Sequence, residues 1–266
     1  MSPLARKTAE TGDRAQAVEL LRLAYELGIR HFDTAQFYAA GTANELLHTA
    51  LGDVRSELFL ASKAGARATP EGPAPMAAAQ HPEDIRRAVE ENLESLNTAY
   101  LDLLYLRRMD MLPGLLAPED QQVPLAEQLS VAASLRAEGL IRGIGLSHVS
   151  LEQVQASLEV GIDAVQNIYN YSHRADAPLV ELTREHDIAW IPYFPLGGSA
   201  YAKLPRVVEE PAITTAAERL GATPTQAGLA WLLQDSPHTF VISGTTSREH
   251  LAENVAADGL GPVVAD

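Results

Sequence analysis

The sequence predicts an α/β fold, a (β/α)8 barrel whose first strand is missing or truncated. Three observations carry that prediction. Short apolar runs alternate with longer amphipathic stretches along the whole chain, the pattern of βα units on a parallel sheet. The apolar runs are nearly continuous in character, as in strands buried on both faces. The length of 266 residues suits one barrel, which typically takes about 250 residues. No G-x-G-x-x-G follows an early strand, which disfavours an open dinucleotide-binding sheet.

The predicted strands are 29–33 (IRHFD), 58–63 (LFLASK), 101–106 (LDLLYL), 143–147 (GIGLS), 164–167 (AVQN), 189–193 (AWIPY) and 239–243 (TFVIS). Helices separate them. In 14–27, Ala17, Leu20, Leu21, Ala24 and Leu27 fall on one face, and Gly28 follows where a helix end favours a left-handed residue. The stretch 82–96 opens with Pro82, Glu83 and Asp84, which suit a helix N-terminus. Further helices are expected over 125–138 before Gly139, 150–160 before Gly161, 224–233 and 247–256. The Ala- and Pro-rich stretches 64–80 and 111–124 follow predicted strands and read as long βα loops at the catalytic face of a barrel. Seven strands are visible, and residues 1–13 offer almost nothing β-like. An unpaired gap would expose ladder groups. Residues 2–8, a partner chain or residues ahead of Met1 would have to fill it.

No Ser/Gly linker divides the chain, so residues 1–266 are expected to form one domain. With 46% hydrophobic residues the chain has material for a full core, which excludes wholesale disorder. The absence of cysteine excludes disulfides, zinc–thiolate sites, iron–sulfur clusters and cysteine nucleophiles, and no metal site is expected. Twenty basic against 35 acidic residues give a net charge of −15. That balance argues against nucleic acid and anionic membranes as partners. No signal-peptide pattern or membrane-length apolar run is present, so a cytoplasmic monomer or homo-oligomer is expected.

The first chemical constellation is Asp33-Thr34-Ala35-Gln36-Phe37-Tyr38 at a strand end, with Lys63 ending the next strand. A lysine there is costly to bury unless paired, and Asp33 is the natural partner. A cation beside a phenol favours the phenolate, which prepares a tyrosine to act as a general acid. On spacing alone, a packing salt bridge with Tyr38 as an ordinary loop aromatic explains these residues equally well.

The segment HFDTAQFYAAGTANELL resembles the signature of the aldo-keto reductases, with Asp-Thr-Ala, then Tyr, then Asn-Glu. The resemblance continues through FLASK, DLLYLRRMD, GLIRGIGLSHVS, AVQNIYN, IPYFPLGG and ISGTTSREHLAEN, from Arg14 to about Ala257. It implies a barrel that reduces a small carbonyl substrate with NADPH. Tyr38 would then be the proton donor, Lys63 would tune it, and Asp33 would hold Lys63. Ser147 and Gln166 match residues that bind the nicotinamide amide, and Tyr193, with Phe194 beside it, matches the aromatic that stacks on the ring. Leu196 and Gly197 match the loop over the pyrophosphate, and Glu253 and Asn254 match residues at the adenine. Gly244, Thr245 and Thr246 precede a helix, where backbone N–H groups suit a phosphate. Singly, each residue has a plainer reading: Gln166 as a core amide, Tyr193 as a core aromatic, the GTTS run as an N-cap.

Three departures stand out. Arg107 occupies the place of the family's catalytic histidine. It could stabilise a developing alkoxide, bind an anionic group on the substrate, or turn outward to solvent. His148 stands where asparagine is usual, and one histidine tautomer can imitate an amide. The first strand and the bottom-closing hairpin have no counterpart, and the tail 258–266 is short. Gly244 and His250 replace cations found in relatives, leaving Arg248 for a 2′-phosphate, so NADH is the alternative to NADPH. The second functional reading is a barrel that has lost hydride transfer and serves as a cofactor-binding or scaffolding subunit, or runs non-redox chemistry.

Overall fold

A computed structural model describes residues 1–69, 71, 75–198 and 202–264. They group into two compact units, residues 1–162 with 244–246, and residues 163–243 with 247–266.

The first unit runs α1 (Ser2–Thr11), α2 (Arg14–Glu26), β1 (His31–Asp33), α3 (Thr42–Leu51), β2 (Phe59–Ala68), β3 (Met76–Ala79), α4 (Pro82–Leu96), β4 (Leu101–Arg107), α5 (Leu125–Ala137), β5 (Ile141–Ser147) and α6 (Leu151–Ser157). Strands β1, β2, β4 and β5 pair in parallel, in that order. Residues 101–106 of β4 are buried throughout, which is why that strand reads as an unbroken apolar run. The register sets Asp33 beside Ala61, Lys63 beside Tyr105 and Arg107 beside Ser147. Helix ends follow local chemistry. The Asp13 side chain caps α2 by accepting from Gln16 N, and Ser150 and Gln153 form a capping box on α6.

As expected, no strand forms ahead of α2; residues 2–11 are instead helix α1, not among the expected elements, ended by left-handed Gly12, with Leu4, Ala5 and Thr8 buried. The Met1 backbone nitrogen donates to the Asp33 carbonyl at 3.3 Å. The Pro3 ring lies against Gly244, 3.1 Å from where a Cβ there would stand. One expectation is corrected in this unit: the stretch 64–80 is not a plain loop. Strand β2 continues to Ala68, and β3 returns antiparallel, with Gly65 beside Ala79 and Ala68 beside Met76. Alanine has weak intrinsic strand preference, so only the cross-strand pairing reveals this hairpin. Residues 70 and 72–74 of that stretch lie outside the described residues.

The second unit runs β6 (Ala164–Gln166), α7 (Ala177–Glu185), β7 (Ala189–Trp190), α8 (Pro211–Leu220), α9 (Pro224–Asp235) and α10 (Arg248–Ala256). β6 and β7 pair in parallel, with Val165 beside Trp190. Tyr169 lies between Trp190 and Trp231, at ring-centroid distances of 5.8 and 5.9 Å. The predicted strand 239–243 reduces to one bridge, Trp190 with Thr239. A ladder needs a partner of matching length, and β7 offers two residues before Pro192, which has no N–H to give. Among the described residues, no helix is long and apolar enough to cross a membrane, and no cluster of three or more His, Asp or Glu could hold a metal ion.

Candidate active site

Asp33 ends β1 and Lys63 lies on β2, two residues beyond the partner of Asp33 in the parallel register. Both are buried, Lys63 with 3% of its surface exposed. The Lys63 ammonium forms a close ion pair with Asp33 Oδ1 and donates to the Thr34 carbonyl at 3.0 Å. It also stands 5.0 Å from the centre of the Tyr38 ring and 5.8 Å from that of Tyr105. Burial pushes the lysine pKa down. The charge of Asp33, then Tyr38, and hydrogen bonds to both push it up and prevail, so the ammonium is held above its ordinary value.

Tyr38 is placed by the turn that carries it. Its amide donates to the Ala35 carbonyl at 3.0 Å, and Ala39, Ala40 and Gly41 all take positive φ, turning the chain into α3. Its ring meets Phe37 edge-on at 5.2 Å. Ala35, Phe37, Ala66, Ala78, Met109 and Ala117 form a buried apolar cluster on which Tyr38 and Met76 pack. The first unit therefore brings Asp33, Lys63 and Tyr38 together beside an apolar wall.

Arg107 ends β4 and is partly buried. Gly65 makes that approach close: its φ is +100°, and a Cβ there would stand 2.3 Å from the Arg107 carbonyl oxygen. His148 has a left-handed backbone, and its Nε2 lies 2.9 Å from the Met111 carbonyl. A carbonyl only accepts, so that nitrogen carries the proton and is committed to the loop after β4. Burial, followed by the charge of Arg107, lowers the His148 pKa; the Met111 carbonyl opposes them and loses. Ser147 is fully buried, and among the described residues its Oγ has no hydrogen-bond partner.

Arg108, given no role from sequence, is the structural arginine of the pair. It is buried and donates to Asp110 at 2.7 Å, Gln128 at 2.8 Å and the Val123 carbonyl at 2.8 Å. Two adjacent arginines look alike in sequence; Arg107 ends β4, while Arg108, just past it, is taken up by these buried partners. Also unassigned were Thr34, Gln36, Asn44, Ser62 and Asn92, which form a buried hydrogen-bonded cluster behind the site. An asparagine within the apolar stripe of 42–51 was the available signal for Asn44.

Gly244, Thr245 and Thr246 group with the first unit, and Gly244 meets Pro3 of α1. Ser147 and His148 lie in the first unit too, and the remaining cofactor candidates lie in the second. Gln166 ends β6 and is buried. Tyr193 donates its amide to Asn167 O at 2.9 Å, and its ring meets that of Phe194 at 5.2 Å. Phe194 has φ +55°, with its carbonyl accepting from Asn170 Nδ2 and from the Gly197 amide, both at 2.9 Å. The Leu196 carbonyl accepts from Val207 N at 3.0 Å. Gly197 has φ +66°, and a Cβ there would fall 1.9 Å from the Pro205 carbonyl oxygen. Gly197→Ala is therefore expected to destabilise the protein by at least about 1–2 kcal/mol, the strain of a left-handed alanine, before the clash is counted. A thermal melt checks it; an unchanged midpoint would show that the loop can relax.

Ser247 caps α10 through His250 N at 3.2 Å, the plainer reading of the GTTS run. Arg248 and His250 are exposed on that first turn. The Glu253 carbonyl accepts from Gln226 Nε2 at 3.2 Å. Asn254 Nδ2 donates to Ser243 Oγ at 3.2 Å, while its Oδ1 is buried without a hydrogen-bond partner among the described residues.

Comparison with known proteins shows the family. The family model described as "Aldo/keto reductase family" matches residues 4–260. The chain is 37% identical over 249 residues to pyridoxine 4-dehydrogenase of Escherichia coli (strain K12), covering 93% of this chain and 83% of that one. It is 31% identical to an uncharacterised oxidoreductase of Schizosaccharomyces pombe, over 94% of this chain and 76% of that one. Among solved structures, an aldo/keto reductase from Klebsiella pneumoniae in complex with NADP and acetate aligns with TM-score 0.74 at 27% identity, covering 93% and 81% of the two chains. A thermostable aldo-keto reductase in complex with the inhibitor epalrestat aligns with TM-score 0.75 at 29% identity, covering 92% and 82%. The fold class is thus that of these α/β barrels, with a helix in place of the first strand.

Proposed function

Because the chain belongs to the aldo/keto reductase family of oxidoreductases, we propose that it reduces an aldehyde or ketone to the alcohol with NADPH, Tyr38 acting as general acid. The observation that carries this reading is the cluster of Asp33 at the end of β1, Lys63 on the adjacent β2 and Tyr38 on the turn after β1. The proposal takes residues 1–266 as one cytoplasmic catalytic domain, acting as a monomer or homo-oligomer, supported by the single family match over 4–260.

NADPH as cofactor rests on the Klebsiella pneumoniae structures, described in complex with NADP and with NADPH. Within each unit by itself the residues fit parts of such a group: Ser147 Oγ in the first and Asn254 Oδ1 in the second are buried polar atoms without a hydrogen-bond partner among the described residues. Ser147, His148, Gln166, Tyr193, Phe194, Leu196, Gly197, Gly244, Thr245, Thr246, Arg248, His250, Glu253 and Asn254 would hold it. When bound, such a group would supply hydride chemistry for the carbonyl carbon.

The chain's own residues manage the proton. The Tyr38 hydroxyl gives its proton to the carbonyl oxygen as negative charge develops there. The Lys63 ammonium, fixed by Asp33 and the Thr34 carbonyl, favours the phenolate left behind. Arg107 presents a permanent positive charge at the end of β4, suited to the developing alkoxide or to an anionic group on the substrate. The apolar wall of Phe37, Met76 and Met109 suits an apolar body on the carbonyl compound. The relative named pyridoxine 4-dehydrogenase makes pyridoxal the first carbonyl to assay.

A second reading, a barrel without hydride transfer, is favoured by Arg107 at the histidine position and by α1 in place of a strand. The purified chain is expected to shift NADPH fluorescence on binding and to oxidise NADPH when pyridoxal or a generic aldehyde is added. Binding without turnover on any carbonyl would select the second reading in its cofactor-binding form, and no binding of NADPH or NADH would sink the reductase reading. Arg107→His refines the outcome: a large gain on generic aldehydes would mark a lapsed reductase, a loss on the preferred carbonyl a specialised one.

A further inference from the structure

We infer that Asn44 and Asn92 form a buried positioning relay that sets Asp33, Lys63 and Tyr38 against one another from behind the sheet. The inference rests on the proposed reductase reading for its catalytic consequence, though its geometry stands alone.

Side chains on a strand alternate between faces. Asp33 and Lys63 point to one face and meet there. Their chain neighbours Thr34 and Ser62 therefore point to the other, toward α3 and α4. There Thr34 Oγ1 donates to Asn44 Oδ1 at 2.7 Å, and Ser62 Oγ donates to Asn92 Oδ1 at 2.6 Å. Asn44 Nδ2 donates to Asn92 Oδ1 at 2.9 Å, joining the two. It also reaches Gln36 Oε1 at 3.0 Å, two residues before Tyr38, and Ser95 Oγ at 3.0 Å. Thr34, Asn44, Ser62 and Asn92 have no exposed surface.

The relay has one direction. Asn92 Nδ2 donates to the Ala88 carbonyl at 2.6 Å, which can only accept. That turns Asn92 Oδ1 toward Asn44, so Asn44 must present its NH2 there and its oxygen to Thr34. Each output of the relay is adjacent in sequence to a reacting group: Thr34 to Asp33, Ser62 to Lys63, and Gln36 to the turn that carries Tyr38. Thr34 is held twice, since its own carbonyl accepts from Lys63 at 3.0 Å. A buried polar cluster of this kind specifies geometry that an apolar core of the same volume would leave free.

Thr34→Val keeps the shape and removes the hydroxyl; Thr34→Ser keeps the hydroxyl. Two readouts are made: kcat with the best carbonyl, and the titration midpoint of the Lys63 ammonium followed by NMR of the lysine Nζ, assigned by its loss in Lys63→Met. Thr34→Val is expected to lower kcat about tenfold, short of the ~10²-fold that an ångström of misplacement can cost, and to leave the KM for NADPH unchanged. It is expected to lower the Lys63 midpoint, because Asp33 drifts from the ammonium, with both readouts recovered in Thr34→Ser. A folded Thr34→Val with the wild-type midpoint overturns the relay, whatever the turnover. A moved midpoint, rescued by serine, in a protein that turns over no carbonyl upholds the relay and sinks the reductase reading instead. If Thr34→Val does not fold, Ser62→Ala removes one donor from Asn92 and is judged by the same two readouts.

Discussion

Tyr38→Phe is expected to lower kcat for carbonyl reduction by about 10²–10⁴-fold, the range lost with a positioned general acid. That corresponds to roughly 3–5 kcal/mol of barrier at 1.4 kcal/mol per tenfold. The fold should survive, because the ring keeps its edge-on contact with Phe37 at 5.2 Å and its place above the Lys63 ammonium at 5.0 Å. Lys63 should stay in position too, since the Asp33 carboxylate and the Thr34 carbonyl hold it without the phenol. NADPH affinity, read by fluorescence titration, should therefore change little while turnover collapses. Turnover close to wild type would remove Tyr38 from the reaction. Collapse of binding and turnover together would point to misfolding of the turn at residues 39–41 instead, which a melt would reveal.

What the sequence made legible follows from how local each signal is. Strand β4 is buried on both faces, so LDLLYL could be read without knowing its neighbours. Asp33 and Lys63 could be paired because both end apolar runs, and a buried ammonium needs a carboxylate. Features that depend on distant partners were hidden. The Ala-rich hairpin of β2 and β3 has no strong strand former in its return arm, and exists through pairing across the turn. Residues 239–243 look β-like, yet β7 is too short to extend them into a ladder. Helix α1 was not anticipated, although Leu4, Ala5 and Thr8 carry helical spacing; residues 1–13 were legible only as lacking a strand. The relay was hidden for the same reason, since Asn44 and Asn92 stand 48 residues apart in sequence and only the packing of α3 and α4 joins them. The likeness to the aldo-keto reductases supplied the proposed reacting residues but gave no reason for the asparagine of its Asn-Glu pair. The hydrogen bonds of Asn44 supply one.

Asp33→Asn is expected to cost about 3–5 kcal/mol of stability, the loss on breaking a buried ion pair from one side. The ammonium of Lys63, nearly without solvent, would keep its burial penalty and lose the charge that offsets it. The pH dependence should then change sign. In the wild-type protein the Lys63 pKa is raised on folding, so its stabilisation is fully present below the unfolded value of about 10.4 and is lost as pH rises through the folded value. In Asp33→Asn burial acts with less opposition and the folded pKa falls below the unfolded one. The variant should therefore gain stability as pH rises toward about 10, where the wild type begins to lose it. Lys63→Met on its own strands the Asp33 carboxylate and should also destabilise. The double variant Asp33→Asn, Lys63→Met removes both charges and should recover much of the loss, because a pair of neutral groups no longer carries the penalty of an unpaired buried charge. Urea melts of the wild type, both single variants and the double variant, each at several pH values, measure all of this. A double variant no more stable than Asp33→Asn would mean that Thr34, Tyr38 and the surrounding backbone hold the lysine without its carboxylate. The loss in Asp33→Asn would then come from the contacts of Asp33 itself and not from a stranded ammonium, and the coupling of the two charges should appear in kcat, not in the melts.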